Sequence, residues 1–217
     1  KMAGFNELAL ADDPEDKRTF TGADHEFAGR VEDAEITTEN NEKVFKYIHL
    51  DGAHVPFIYD ENLNIIDELE GTYTMSVEAS LKAAEDYLEL LKKGNSYDNT
   101  VLIIMADHGY NGSLEEMGDA AWMRQSPLLM IKGTGEHHDT MQVSEAPVSF
   151  EDLQEAYTRL LDGRQSEEVF DWKEGDVRER RFLWYSFLDE DHMVEYMQTG
   201  HAQDMDTMVP TGREYNR

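Results

Sequence analysis

The stretch that decides the fold is residues 99–112, Asn-Thr-Val-Leu-Ile-Ile-Met-Ala-Asp-His-Gly-Tyr-Asn-Gly. Five apolar residues in succession, 101–105, follow a turn signal at residues 97–99 and stop just before Asp107 and His108. A short, continuous run rich in β-branched residues is typical of a strand buried on both faces, as in a parallel sheet covered by helices. The sequence therefore predicts an α/β fold with a mostly parallel sheet.

Asp107 and His108 follow this predicted strand directly. Ligands of open α/β sheets gather outside the carboxyl ends of the strands. A carboxylate and an imidazole side by side suit a divalent metal such as zinc or manganese. Asp-His-Gly is nevertheless a weak signal as a bare string, because a strand-end Asp or His can also cap a loop.

A second strand is predicted at residues 43–50, Lys-Val-Phe-Lys-Tyr-Ile-His-Leu, which are rich in β-branched and aromatic residues. His54 follows in the loop after it, two residues before Pro56. A helix capped by Ser76 then leads to the strand that ends before Asp107. This strand–helix–strand order predicts two parallel strands, with His54 and Asp107 at the same edge of the sheet.

A third buried strand is predicted at residues 127–132. The loop after it carries His137 and His138, which could bind a metal only if their side chains converged, and adjacent side chains usually diverge. A helix capped by Ser149 and ended by Gly163 follows.

The C-terminal part of the chain changes character. Residues 178–187 and 192–197 predict a small antiparallel β hairpin. Together, these patterns divide the chain into an irregular N-terminal segment at 1–40, an α/β region at 41–165 and a β-rich annex at 166–217.

Composition excludes some classes of partner. The 217 residues contain 47 Asp and Glu against 19 Lys and Arg, a formal net charge of −28. Phosphate contacts to nucleic acid and binding to anionic membrane surfaces both need basic residues, so neither is expected. The chain has no cysteine, which excludes disulfides and thiolate metal ligands.

Three features occur together and in order: Asp51-Gly52-Ala53-His54-Val55-Pro56-Phe57, Ala106-Asp107-His108-Gly109 after its apolar run, and Pro127-Leu128-Leu129-Met130-Ile131-Lys132. Together they resemble the sulfatase-like branch of the alkaline phosphatase superfamily. Within it, the lipoteichoic acid synthases and the phosphoglycerol and phosphoethanolamine transferases are most similar. The resemblance covers roughly residues 40–162.

The resemblance implies an alkaline-phosphatase-like three-layer core and a role for each matched residue. Asp107 and His108 would be ligands of a divalent Mn, Zn or Mg ion. His54 would contact the phosphate or phosphoglycerol group, and Arg124, on a looser match, would help to bind an anionic substrate. The substrate would be a phosphoglycerol- or phosphoethanolamine-bearing lipid or glycan. The parent enzyme would be membrane-anchored and face the outside of the cell, and this part of it would be soluble.

The chain departs from the family at its beginning. The family places a Thr or Ser nucleophile and a further acidic metal ligand far upstream of the His-x-Pro loop. Here Thr19, Thr21, Thr37 and Thr38 lack that setting. The chain therefore resembles the C-terminal half of such an enzyme. Two metal ligands are fewer than the three of a catalytic zinc-type site, and no covalent step can occur without a nucleophile, so we expect the chain alone to be inactive.

Two alternatives stay open on the sequence. Sulfatases share the Asp-His pair, so the parent reaction could be sulfate-ester hydrolysis, although the surroundings of His54 favour phosphoglycerol-type transfer. The chain could also be a non-catalytic binding module with a degenerate site. Both alternatives depend on the part of the site that this chain does not supply.

Overall fold

The computed structural model describes residues 23–36, 43–110, 125–186 and 189–216. The chain divides into two compact units, Lys1–Tyr97 and Asp98–Arg217. It mixes helices with small antiparallel sheets, which confirms the mixed α/β class. The domain boundaries proposed after residues 40 and 165 stay predictions.

Two helices build the first unit, α1 at Ala23–Glu32 and α2 at Tyr73–Lys93. Helix α1 corrects the prediction of an irregular segment at 1–40. Its apolar residues Phe27 and Val31 lie one helical turn apart and are both buried in the core of this unit. Phe27 and Val31 are the only large apolar residues among its ten, which gives little periodic signal, and this is why the helix was not predicted.

Helix α2 was predicted with the correct end and the wrong start. Thr72 is the N-cap, and its side chain accepts a hydrogen bond from the Met75 N–H at 3.2 Å. Ser76, the predicted cap, instead lies inside the helix and is buried. Gly94 ends the helix, and its N–H donates to the Leu90 carbonyl.

The predicted strand at residues 43–50 is wrong. This segment forms no strand, and residues 43–49 are exposed. Phe45 is 88% and Tyr47 77% exposed, which is unusual for aromatic side chains. Strand composition is therefore present, but the described part of the chain provides no strand that pairs with this segment.

The second unit begins with an antiparallel strand pair, β1 at Leu102–Met105 and β2 at Leu129–Lys132. Both positions agree with the sequence, whereas the predicted mostly parallel sheet is not found among the described residues. Residues 102–104 of β1 are half-buried and Met105 is exposed. This sheet has two strands, so each strand is paired along one edge only.

Helix α3, Leu153–Leu161, covers one face of this pair. The residues on the two sides of the contact are Val101, Ile103 and Ile131 from the strands, and Ala156, Leu160 and Val169 from the helix and the segment after it. Ser149 precedes the helix in a capping box with Asp152, and a short 3₁₀ turn, Phe150–Asp152, leads into it. Ser149 thus caps the 3₁₀ turn that opens this helical segment, whereas the N-cap of α3 itself is Asp152, which makes no side-chain cap bond.

Three antiparallel strands complete the second unit: β3 at Arg180–Ser186, β4 at Asp189–Gln198 and β5 at Met208–Asn216. The predicted hairpin is confirmed and gains a third strand. In the part of the chain that the structure describes, no helix is both long enough and apolar enough to cross a membrane.

Candidate functional site

The β1–β2 pair fixes the backbone up to the residue before Asp107. The ladder ends with Met105 opposite Leu129. One more hydrogen bond follows, from the Ala106 N–H to the Leu128 carbonyl at 3.0 Å. Asp107 is therefore the first residue that leaves the sheet, as the sequence predicts.

Asp107 and His108 each use one polar side-chain atom in a local hydrogen bond, which leaves Asp107 Oδ2 and His108 Nε2 outside those bonds. The Asp107 Oδ1 atom accepts the His108 backbone N–H at 2.9 Å, and the side chain is 89% exposed. The His108 Nδ1 atom lies 2.6 Å from the Gly109 carbonyl. A carbonyl oxygen can only accept, so Nδ1 is the donor, and in the neutral ring Nε2 is then the acceptor atom.

This arrangement fits part of a metal site. The Asp107 Oδ2 and His108 Nε2 atoms are 3.8 Å apart. Two ligand atoms of one tetrahedral zinc ion lie about 3.4 Å apart, so a small side-chain rotation brings both atoms to one ion. A backbone carbonyl on the second ring nitrogen is also the usual support of a metal-bound histidine.

The pair is not a complete site. Among residues 23–36, 43–110, 125–186 and 189–216, no three His, Asp or Glu side chains are grouped so that they could hold a metal ion. Asp107 and His108 therefore offer two ligands, one short of the three that catalytic zinc sites use.

His137 and His138 diverge, as expected. His137 Nε2 lies 3.3 Å from Asp98 Oδ1, and His138 Nε2 lies 2.9 Å from Glu136 Oε1. Each imidazole nitrogen is thus already paired with a different carboxylate. These two histidines are brought to separate partners rather than to one ion.

Glu136 is the centre of a buried polar cluster that the sequence did not reveal. Its carboxylate accepts from the Gly133 N–H at 2.6 Å, from the Ser166 N–H at 3.1 Å, from the Ser166 hydroxyl and from His138. Burial raises the pKa of this carboxyl, but the four hydrogen bonds outweigh burial and lower the pKa to about 2. Ser166 donates to the carboxylate rather than to His138, so the cluster is not a nucleophilic triad.

This cluster lies at the other end of the strand pair from Asp107. Glu136 lies four residues after Lys132, the last residue of β2, and Lys132 is paired with Leu102, the first residue of β1. Asp107 follows the last residue of β1. Glu136 therefore stabilises the second unit at the end remote from the candidate ligands.

His54 lies in the first unit, in a loop fixed by a buried carboxylate. Asp24, in the first turn of α1, accepts the N–H groups of Asp51 at 2.9 Å and Gly52 at 2.8 Å. The His54 Nδ1 atom lies 2.5 Å from the Val55 carbonyl, so Nδ1 is the donor here as well. Burial raises the pKa of the Asp24 carboxyl, and the two backbone hydrogen bonds oppose that rise.

The prediction placed His54 and Asp107 at the same edge of a parallel sheet, because each would follow one of two parallel strands. Residues 43–50 do not form the first of those strands, so this argument for a shared site no longer holds. Their shared site stays a prediction. Arg124 lies outside the described residues.

A shallow cavity in the second unit includes neither candidate ligand. It is lined by Asp152, Arg159 and Phe170 among others, and its volume is about 70 Å³. Small-molecule sites span about 300–1,000 Å³, so this cavity is too small to hold a ligand of that kind.

Sequence reasoning missed Asp24 and Glu136 for different reasons. Asp24 contacts the chain 27 and 28 residues later, and no local pattern encodes such a contact. The contacts of Glu136 were partly predictable from the sequence. Its carboxylate lies three residues after Gly133 and two before His138, close enough to accept hydrogen bonds from both within one loop.

Comparison of this chain with protein-family models, with curated proteins and with solved structures found no match.

Proposed function

We propose that this chain is the C-terminal part of a metal-dependent phosphoester transferase or hydrolase of the sulfatase-like type, with an alkaline-phosphatase-like parallel core in the complete enzyme. Asp107 and His108 are two ligands of its divalent metal, Mn, Zn or Mg. His54 contacts the phosphate-bearing group of the substrate, a phosphoglycerol- or phosphoethanolamine-bearing lipid or glycan outside the cell membrane.

The observation that carries the proposal is the pair of neighbouring ligand atoms just after the end of β1. The Asp107 Oδ2 and His108 Nε2 atoms lie 3.8 Å apart. The other carboxylate oxygen of Asp107 accepts the His108 N–H, and the other ring nitrogen of His108 donates to the Gly109 carbonyl, so each side chain is oriented. Side chains that are already oriented lose less conformational freedom when they bind a metal ion, and this favours metal binding by the pair.

A second Asp–His pair in the same unit, Asp98 and His137, has a shorter distance between its ligand atoms. The side chains of Asp98 and His137 are each 63% exposed, but Nε2 and the carboxylate are in contact at 3.3 Å. The ligand atoms of that pair are therefore closer to each other than Asp107 Oδ2 and His108 Nε2, which lie 3.8 Å apart. Asp98 is therefore the natural control.

The metal would polarise a phosphoryl oxygen and activate the Thr or Ser nucleophile of the complete enzyme. Asp107 lowers the positive charge of the site and His108 supplies a neutral ligand. His54, when protonated, can donate from Nε2 to a phosphate oxygen, because Nδ1 is already bonded to the Val55 carbonyl.

The exposed aromatic residues of segment 43–49 support the view that part of the fold is contributed elsewhere. Monomeric proteins rarely leave adjacent large apolar side chains such as Phe45 and Tyr47 in water.

Calorimetric titration with Mn²⁺ tests the metal role. The wild-type chain, Asp107→Asn and Asp98→Asn are compared at 0.15 M salt, which screens the general attraction of an acidic surface for cations. We expect Asp107→Asn to weaken binding by about tenfold or more and Asp98→Asn to change it less than about twofold. Equal losses in the two variants, or no loss in Asp107→Asn, would show that the metal binds elsewhere.

A further inference from the structure

Asp24 joins helix α1 to the loop that carries His54. Its side chain is buried, with the residue 2% exposed, and it accepts two successive backbone N–H groups, those of Asp51 and Gly52. An ionised carboxylate offers enough lone pairs for both donors, and such charge-assisted bonds are stronger than neutral ones. One side chain thus fixes the orientation of two consecutive peptide groups.

The same two peptide groups set the course of the backbone that leads to His54. Gly52 has a φ of +65°, a left-handed conformation that other residues rarely adopt. The chain reaches His54 two residues later, and the ring is then tied to the Val55 carbonyl. Asp24 and Gly52 therefore hold the backbone from which the His54 side chain extends.

Helix α1 does not depend on this contact alone. Phe27 and Val31 are buried in the core of the first unit, and Phe27 packs against Tyr87 with ring centroids 6.3 Å apart. His25 Nδ1 also donates to the Leu63 carbonyl at 2.8 Å. Removing the Asp24 carboxylate should therefore release the loop while the helix stays in place.

We propose that Asp24 is a positioning residue, which holds residues 51–54 so that His54 meets the phosphate group of the substrate. This inference rests on the proposed function of His54. It adds a residue from a part of the chain whose sequence shows no sign of chemistry.

The test compares Asp24→Asn with Glu26→Gln, which removes a carboxylate from the exposed side of the same helix. The first readout is the hydrogen-exchange rate of the Asp51 and Gly52 amides. The second is the affinity for glycerol 1-phosphate, followed by the shift of the His54 ring signals. An asparagine keeps the shape but presents an NH₂ group to one of the two donors, so one bond is lost.

We expect Asp24→Asn to speed exchange of the two amides and to weaken glycerol 1-phosphate binding, each by about tenfold, with Glu26→Gln unchanged. In a His54→Gln background, Asp24→Asn should have no further effect on affinity, because its effect passes through His54. Gly52→Ala, which disturbs the loop without touching α1, should weaken binding in the same way and serves if Asp24→Asn fails to fold.

The possible failures are distinguishable. If the His54 ring of the wild-type chain does not respond to glycerol 1-phosphate, the proposed role of His54 is wrong, and the inference about Asp24 with it. If the wild type responds but Asp24→Asn binds equally well, only the positioning role is wrong. Unchanged exchange of the Asp51 and Gly52 amides in Asp24→Asn would also overturn the positioning role alone.

Discussion

Replacing Glu136 by glutamine should destabilise the second unit in a pH-dependent way. The residue is 7% exposed, and its carboxylate accepts four hydrogen bonds that hold the pKa at about 2 against an ordinary value of 4.5. Each unit of pKa corresponds to 1.36 kcal/mol, so the ionised group contributes on the order of 3 kcal/mol at pH 7. Glutamine retains one acceptor oxygen and turns an NH₂ group toward donors, which forfeits most of that contribution.

The sign of the pH dependence follows from the lowered pKa. A carboxyl that binds its proton less readily in the folded state stabilises the fold above the unfolded pKa of 4.5, and that stabilisation is lost as pH falls toward 2. Glutamine does not titrate. The difference in unfolding free energy between the wild type and Glu136→Gln should therefore fall from about 3 kcal/mol at pH 7 to roughly 1.4 kcal/mol at pH 3.

Urea unfolding followed by tryptophan fluorescence measures this difference. The three tryptophans, Trp122, Trp172 and Trp184, all belong to the second unit, so the signal reports on that unit. Glu174→Gln is the control, since that exposed carboxylate accepts only a long bond from the Glu145 N–H among the described contacts, at 3.2 Å. A loss below about 0.5 kcal/mol at pH 7 in Glu136→Gln, or a loss that does not shrink at pH 3, would refute the reasoning.

Three further outcomes are expected. Leu160→Ala removes a side chain that is 1% exposed from the core beneath β1 and β2, and should cost about 2–5 kcal/mol in the same urea experiment; a cost below 1 kcal/mol would contradict the packing. Ser149→Ala breaks the capping box before α3 and should cost about 1 kcal/mol, whereas Ser144→Ala, outside the helix cap, should cost less than half of that. The chain supplied with Mn²⁺ should not turn over an aryl phosphodiester above background, because it offers two metal ligands and no nucleophile; robust turnover that Asp107→Ala abolishes would show that the half-site proposal is wrong.

The elements that were predicted correctly have apolar runs or regular apolar spacing bounded by turn or capping residues. Strands β1 and β2 follow from short apolar runs, and helix α3 follows from Ser149 and its apolar spacing. The start of α2 was placed late because Thr72 and Ser76 are both good caps, and only packing decides that Ser76 faces the core.

Pairing was less predictable than strand position. Residues 43–50 have the composition of a strand, but a strand also needs a hydrogen-bonded neighbour, which local sequence does not specify. The same limit explains why β1 and β2 were assigned to a parallel sheet although they pair antiparallel.

Some residues of the candidate site were predictable from local sequence and others were not. Asp107 and His108 were predicted because they follow a strand directly, and the structure places them there. Asp24 was not, because its partners Asp51 and Gly52 lie far along the chain and only the folded unit brings them together.

Anomalous scattering from crystals soaked in Mn²⁺ tests the central claim most directly. We predict that the strongest manganese peak lies within about 2.2 Å of both Asp107 Oδ2 and His108 Nε2. A peak at Asp98 and His137 or at another acidic cluster, with none beside Asp107, would contradict the account.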